Sequence, residues 1–351
     1  MFDLTSLQDV SLVNPAWMVV FGLVGICFLV WAIVRKRRSG RGVLWRAILG
    51  AIALIVAVVF LVNMMTGYYP RVFNLIKNQP AANANFGETP DDPSQGTLQV
   101  AEIPGTASHV GSYPANVWLP PQYFTDKSAQ FPIVYLMHGQ PGSYSDWFAS
   151  PWANQVVLSQ SRAKTPFIMV VPTELPTPDS DTECVNGAAG NWETYLSTDV
   201  TNWARQNLRI KPGVQHSAIG GLSMGGYCAQ QLALRNPSTF SAFGNFVGST
   251  QPTFDGGMAA LFGDPPNLAQ TVASYSSRWI VQNQPASRSV ANWLQAGADD
   301  PVTAADQAAY VSTARQLNIP VTASTVPAGH IVSNYRLALQ EWLAWVLPRI
   351  K

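Results

Sequence analysis

The stretch QHSAIGGLSMGGYCAQQLALR, Gln215 to Arg235, decides how this chain is read. Gln215 to Gly221 is an apolar run of strand type, Gly221 to Gly225 spells GxSxG around Ser223, and Tyr227 to Arg235 is rich in helix formers. The pentapeptide alone recurs by chance. Between a strand and a helix it predicts a nucleophile elbow, a tight turn that glycines permit and that lifts a serine hydroxyl into open space. The competing reading is a glycine-rich turn with a capping serine.

A serine hydroxyl is a weak nucleophile until a base takes its proton and an acid orients that base. In this architecture the order along the chain is serine, acid, histidine, and of the four histidines only His330 follows Ser223. His330 lies in Ala328-Gly329-His330, between a strand-like run (Val321 to Val326) and a C-terminal helical run (Leu337 to Leu347). The acids between the two are Asp255, Asp264, Asp299, Asp300 and Asp306, with no glutamate. Val290 to Gln295 reads as a buried strand, and Gly297-Ala298-Asp299-Asp300-Pro301 turns out of its carboxyl end toward a helix from Thr303 to Arg315. That turn favours Asp300 as the acid, with Asp299 as second choice. Asp255 and Asp264 fall in a glycine- and proline-rich excursion, Asp255 to Pro266, that reads as a lid or wall.

Acyl chemistry passes through an oxyanion that two backbone N–H groups must stabilise. Met224, directly after the serine, supplies one. Gln140, in the loop His138-Gly139-Gln140-Pro141-Gly142 after the strand Pro132 to Met137, supplies the other. His138 is read as a residue that hydrogen-bonds this loop into shape. Further strands are expected at Leu98 to Ile103, Ala115 to Leu119, Phe167 to Val171 and Ala242 to Val247, and a helix at Glu193 to Leu208 whose Glu193 and Asp199 are read as solvated or capping charges. Alternation of apolar strands with helices predicts a mostly parallel sheet covered on both faces, with its ligands at the carboxyl ends of the strands.

The segments FPIVYLMHGQPGSYSDW (Phe131 to Trp147), FIMVVPTE (Phe167 to Glu174), NWETYLSTDVTNW (Asn191 to Trp203), AIGGLSMGGYCAQQLALRNPSTFSAFGNFVGS (Ala218 to Ser249), GADDP and AGH resemble the esterase family of α/β-hydrolases, which includes esterase D, feruloyl esterases and mycolyltransferases. The resemblance covers about two thirds of the chain, from about Asn116 onward. It implies an α/β-hydrolase fold, Ser223 as nucleophile, Asp300 as acid, His330 as base, Gln140 and Met224 as oxyanion donors, and no cofactor. Mycolyltransferases differ in having an aspartate where His138 stands, a glutamate as acid, and tryptophans after the histidine where this chain has Val332 and Tyr335.

The N-terminal residues are of another kind. Ala16 to Val34 and Ala47 to Met65 are each nineteen residues without a charge, close to the roughly twenty that cross hydrocarbon as a helix. Residues 1–65 are therefore expected to be a two-span membrane anchor, residues 66–95 a linker and residues 96–351 the catalytic domain. Between the spans, residues 35–46 carry Arg35, Lys36, Arg37, Arg38, Arg41 and Arg46, while the first fifteen residues carry Asp3 and Asp9. Positive charge stays inside, so loop 35–46 is placed in the cytoplasm and the catalytic domain outside it. Gly22 and Gly25, or Gly50 and Ala51, are candidates for close helix approach.

Removing the anchor's six basic and two acidic residues from totals of 21 and 20 leaves 15 against 18, a net charge of −3 for the rest. That argues against nucleic acid as a partner. Cys27 lies within the first span; Cys184 and Cys228 lie outside, where a disulfide persists, and are expected to pair. No histidine or cysteine spacing suits a metal. The sequence thus predicts a membrane-anchored serine esterase or acyltransferase acting on a carboxylic ester, with an envelope lipid or glycolipid as the substrate class the resemblance implies. The rival reading is a catalytically silent, membrane-tethered binding or scaffold protein.

Overall fold

The computed structural model describes residues 15–38, 42–66, 84–90, 96–149, 165–177, 180–327, 329–330 and 332–351. The acidic N-terminal residues, part of the basic loop at 39–41 and most of the expected linker, 67–83 and 91–95, lie outside the described residues. The chain divides into a unit of residues 1–78 with 331–333, and a unit of the remainder.

In the first unit, helices α1 (Pro15–Arg38) and α2 (Val43–Thr66) are each 24 residues long and apolar enough to cross a membrane. They pack as a pair. Gly25 faces Gly50: a Cβ on Gly25 would lie 3.1 Å from Gly50 O, and one on Gly50 as close to Gly25 O, whereas Gly22 faces open space. The small residues let the backbones approach, which is how helices associate where no hydrophobic gain separates lipid from side chain. Phe60 stacks on Trp17 and Phe21, and Arg46 lies 4.2 Å over the rings of Trp31 and Trp45.

Among the described residues, the second unit is built on a nine-stranded sheet. In chain order its strands are β1 (Ala84–Asn85), β2 (Thr97–Gly105), β3 (Gly111–Leu119), β4 (Ile133–Met137), β5 (Ile168–Pro172), β6 (Ser217–Leu222), β7 (Ala242–Phe246), β8 (Ala291–Gly297) and β9 (Val321–Val326), and across the sheet they run β1-β2-β3-β5-β4-β6-β7-β8-β9. The block β5-β4-β6-β7-β8-β9 is parallel, while β3 is antiparallel to both β2 and β5. Every residue of β4, β5 and β7 is buried, as the central strands of a sheet covered on both faces must be. This is the mostly parallel sheet that the alternation of strands and helices predicts, and the α/β-hydrolase architecture that the family resemblance implies. Strand β1, paired to Gln99 and Val100, falls within the stretch expected to be linker.

Helices α3 (Val200–Asn207), α4 (Met224–Arg235), α5 (Pro301–Gln316) and α6 (Val332–Ile350) cover the sheet. The helix expected from Glu193 to Leu208 forms, with a π turn at Tyr195–Asp199 inside it. Register decides where α6 sits. Gly220 of β6 and Gly244 of β7 are directly paired, and a Cβ on either would strike the ring of Trp342, at 2.7 and 2.5 Å. Two adjacent glycines thus make the hollow that seats the buried Trp342 of α6.

Candidate active site

The carboxyl ends of the parallel strands gather the chemically interesting residues at one edge. Strand β6 delivers Ser223 into a turn at φ 55°, ψ −124°, a conformation non-glycine residues seldom hold and one that clusters at functional sites. The turn is pinned from both sides: Ser223 N–H donates to Phe246 O of β7 at 2.9 Å, and Ser223 O accepts from Gly226 and Tyr227 N–H at 2.9 and 3.2 Å. A Cβ on Gly225 would collide with His138 O. Only glycine there lets the loop after β4 lie against the elbow.

Ser223 Oγ lies 2.7 Å from His330 Nε2, and His330 Nδ1 lies 3.4 Å from Asp300 Oδ2. Asp300 also caps α5, its Oδ1 accepting from Thr303 N–H at 3.2 Å. Asp299, in the same turn, sets its Cβ and backbone beside Gly329. Of the other acids between serine and histidine, Asp306 accepts from Thr250 N–H, and Asp255 lines the cavity in front of Ser223. The His330 ring meets Tyr335 edge-on at 5.6 Å; burial, and then the charge of Asp300, push the Tyr335 hydroxyl up, so it stays un-ionised.

Gln140 and Met224 line the same cavity as Ser223 and His330, a space of about 300 Å³. The loop carrying Gln140 is held from beneath. His138 N–H donates to Glu174 Oε1 at 2.6 Å, and His138 Nδ1 lies 2.8 Å from Gly139 O. Burial pushes the His138 ring down in pKa, so the neutral imidazole donates from Nδ1 to that carbonyl and shapes the loop, as the sequence reading expects.

Glu174 was not legible as a site residue. It follows β5, is wholly buried, and burial drives its carboxyl well above the ordinary value of 4.5. A carboxyl raised in the folded state holds its full stabilising contribution below the unfolded value and loses it as pH climbs toward the folded one. Glu174→Gln keeps an oxygen to accept from His138 N–H and has no proton to lose. Urea midpoints for the two proteins should therefore nearly coincide near pH 4 and separate in favour of the variant as pH rises to 8; a constant gap would show that Glu174 does not ionise with a raised pKa.

The expected disulfide is present, joining Cys184 to Cys228. Cys184 belongs to the loop after β5 and Cys228 to α4, so the bond fastens a wall of the site to the helix that follows Ser223, aided by Gln231 Nε2 donating to Cys184 O at 2.9 Å. The crosslink spans 44 residues, and in a chain-entropy account such a loop contributes about 3–4 kcal/mol. Replacing both cysteines by alanine should lower the melting temperature of this unit by on the order of 10 °C. Scanning calorimetry reads this directly, and a drop under about 2 °C would place the gain elsewhere.

Two expectations need correction. Glu193 is no solvated charge: it pairs with Arg235, at 2.7 Å to Nε and 3.1 Å from Oε2 to Nη2, and accepts from Tyr275 Oη at 2.7 Å. Asp199 is buried and accepts from Ala107 and Ser108 N–H at 2.8 and 2.9 Å. Both partners are distant in sequence, so no local pattern announces them. The wall of the cavity beside Ser223 was likewise missed. Val247, at φ 53° after β7, lines it, and the turn is set by buried Asn245, whose Oδ1 accepts from Gly248 N–H at 2.8 Å and whose Nδ2 donates to Gln230 Oε1 at 2.7 Å.

Known proteins share this frame. Residues 107–347 match the family described as "Putative esterase". The chain is 26% identical to an uncharacterized protein of Corynebacterium glutamicum, over 95% of this chain and 80% of that one. It is 24% identical to an esterase of Mycobacterium tuberculosis over 66% of its own length and 56% of the relative's, so it spans little more than half of that protein. A ferulic acid esterase structure superposes with a TM-score of 0.60 at 21% identity, covering 72% of this chain and 98% of that one, a likeness of fold. With the family match spanning more than half its length, the chain belongs to the "Putative esterase" family of α/β-hydrolases.

Proposed function

We propose that this protein is a membrane-anchored serine esterase or acyltransferase whose catalytic unit, residues 96–351, lies outside the cytoplasm. The observation that carries this reading is the 2.7 Å approach of His330 Nε2 to Ser223 Oγ, with Asp300 3.4 Å behind the imidazole. Ser223 attacks the ester carbonyl as its proton passes to His330 Nε2; the tetrahedral oxyanion is held by the amides of Gln140 and Met224. Collapse expels the alcohol, which takes the proton back from His330, and leaves an acyl-serine. Water or an acceptor alcohol then gives up a proton to His330, attacks the acyl carbon and releases Ser223. Asp300 keeps the imidazole in the tautomer whose Nε2 is free to accept.

Hydrolysis and transfer share every one of these steps and differ only in the acceptor. The resemblance to mycolyltransferases supports an envelope lipid or glycolipid ester as substrate. The anchor rests on helices α1 and α2, and its orientation on the six basic residues of loop 35–46.

A fluorophosphonate probe tests the chemistry. Stoichiometric labelling that maps to Ser223 and is absent in Ser223→Ala supports the enzyme; a folded protein that never reacts supports the silent scaffold instead. Protease applied to intact cells tests the sidedness, since cleavage in the 66–95 stretch requires that it be exposed outside.

A further inference from the structure

The cavity in front of Ser223 is acidic in a way that acyl chemistry alone does not require. Asp181, Glu183, Asp255 and Asp306 line it, and among the described residues that line it there is no lysine or arginine. Asp306 is engaged by Thr250 N–H. Glu183 is almost wholly buried, at 2% exposure, yet contributes to the cavity wall. Its Oε1 accepts from Thr253 N–H and Oγ1, both at 3.0 Å, while its Oε2 is buried with no hydrogen-bond partner. A buried carboxylate oxygen without a partner is costly to hold charged, so Glu183 keeps its charge at neutral pH most readily when a positive group meets it. Burial, reinforced by Asp181, pushes the Glu183 carboxyl up to about 7, as a wall short of positive charge would.

The oxyanion sharpens the problem. Under the reading above, negative charge develops beside Gln140 and Met224, in the same cavity as these carboxylates, and like charge opposes it. A positive group placed between the two would remove the conflict. A bare divalent ion does not suit the spacing. The one group of possible ligand atoms within 4.8 Å of one another among the described residues is Glu174 with Cys184 and Cys228, so the oxygens of Asp181, Glu183 and Asp255 do not converge as one ion's ligands must. A larger, organic cation fits a wall of dispersed carboxylates.

We propose that Asp181, Glu183 and Asp255 form a subsite for an ammonium group carried by the alcohol portion of the ester, placing a cation next to the reacting carbonyl. The proposal rests on Ser223 being the nucleophile, and its test separates the two. Two methylphosphonothiolates are compared as irreversible labels of Ser223, one with a thiocholine leaving group and one with its neutral carbon isostere, 3,3-dimethylbutanethiol. The cationic reagent should label about tenfold faster at low ionic strength, and the advantage should shrink with added salt. Glu183→Gln, and independently Asp255→Asn, should each cut that ratio by about threefold or more; because the ratio compares two reagents on one protein, a general loss of activity cancels. Equal labelling by the two reagents, or a ratio indifferent to both substitutions and to salt, overturns the subsite alone. No labelling by either reagent overturns the nucleophile and the subsite with it.

Discussion

Ser223→Ala should lower kcat/KM for a short-chain nitrophenyl ester by about 10⁴-fold or more while leaving the melting temperature within a few degrees of the parent. The hydroxyl is the only atom exchanged, and the turn that holds it is fixed by backbone bonds to Phe246, Gly226 and Tyr227, which alanine retains. His330→Ala should lose nearly as much, because an unassisted serine hydroxyl scarcely attacks an ester at neutral pH. The double variant should then be hardly worse than either single one. Groups that act as a unit fail as a unit, so near-multiplicative losses would mean that Ser223 and His330 work separately and that their 2.7 Å approach has no catalytic meaning.

What the sequence reveals and what it hides follow one division. Features written in contiguous residues were legible: the strand, turn and helix around Ser223, the apolar runs of α1 and α2, and the Gly297 to Pro301 turn that brings Asp300 to His330. Chain order and the turn's place at the end of β8 were enough to nominate both, though 107 residues separate Ser223 from His330. Features made by packing were not. Glu174 reads as one more loop carboxylate until the sheet sets β5 beside β4 and buries it under His138, 36 residues away. Glu193 looks like a surface charge on a helix until α4 brings up Arg235 from 42 residues downstream. The acidic wall likewise joins Asp181 and Glu183, after β5, to Asp255, after β7. Its sum of charge belongs to the fold and to no stretch of chain. The lid or wall expected from Asp255 to Pro266 turns out to contain a short helix, Met258–Phe262, with Asp255 facing the cavity.

Asp300→Asn and Asp299→Asn should part company by orders of magnitude, although the two residues are neighbours of one type. Asparagine at 300 still caps α5, since its side-chain oxygen accepts from Thr303 N–H as the carboxylate does and asparagine is as good an N-cap as aspartate. Stability is therefore expected to hold. The amide nevertheless presents a neutral group to His330 Nδ1, and its NH₂, if turned to the ring, selects the tautomer with the proton on the wrong nitrogen for accepting from Ser223. It also withdraws the charge that stabilises the imidazolium formed as Ser223 attacks. A loss of about 10²–10⁴ in kcat is expected, the lower end reflecting the 3.4 Å separation and partial exposure of Asp300. Asp299 sets its Cβ and backbone beside Gly329 while the ion pair to the ring is made by Asp300, so Asp299→Asn should stay within a few-fold of the parent. Steady-state rates of both variants with one nitrophenyl ester decide the matter: a severe loss at 299 with little at 300 would move the acid to the neighbouring residue and require the turn to rearrange when substrate binds.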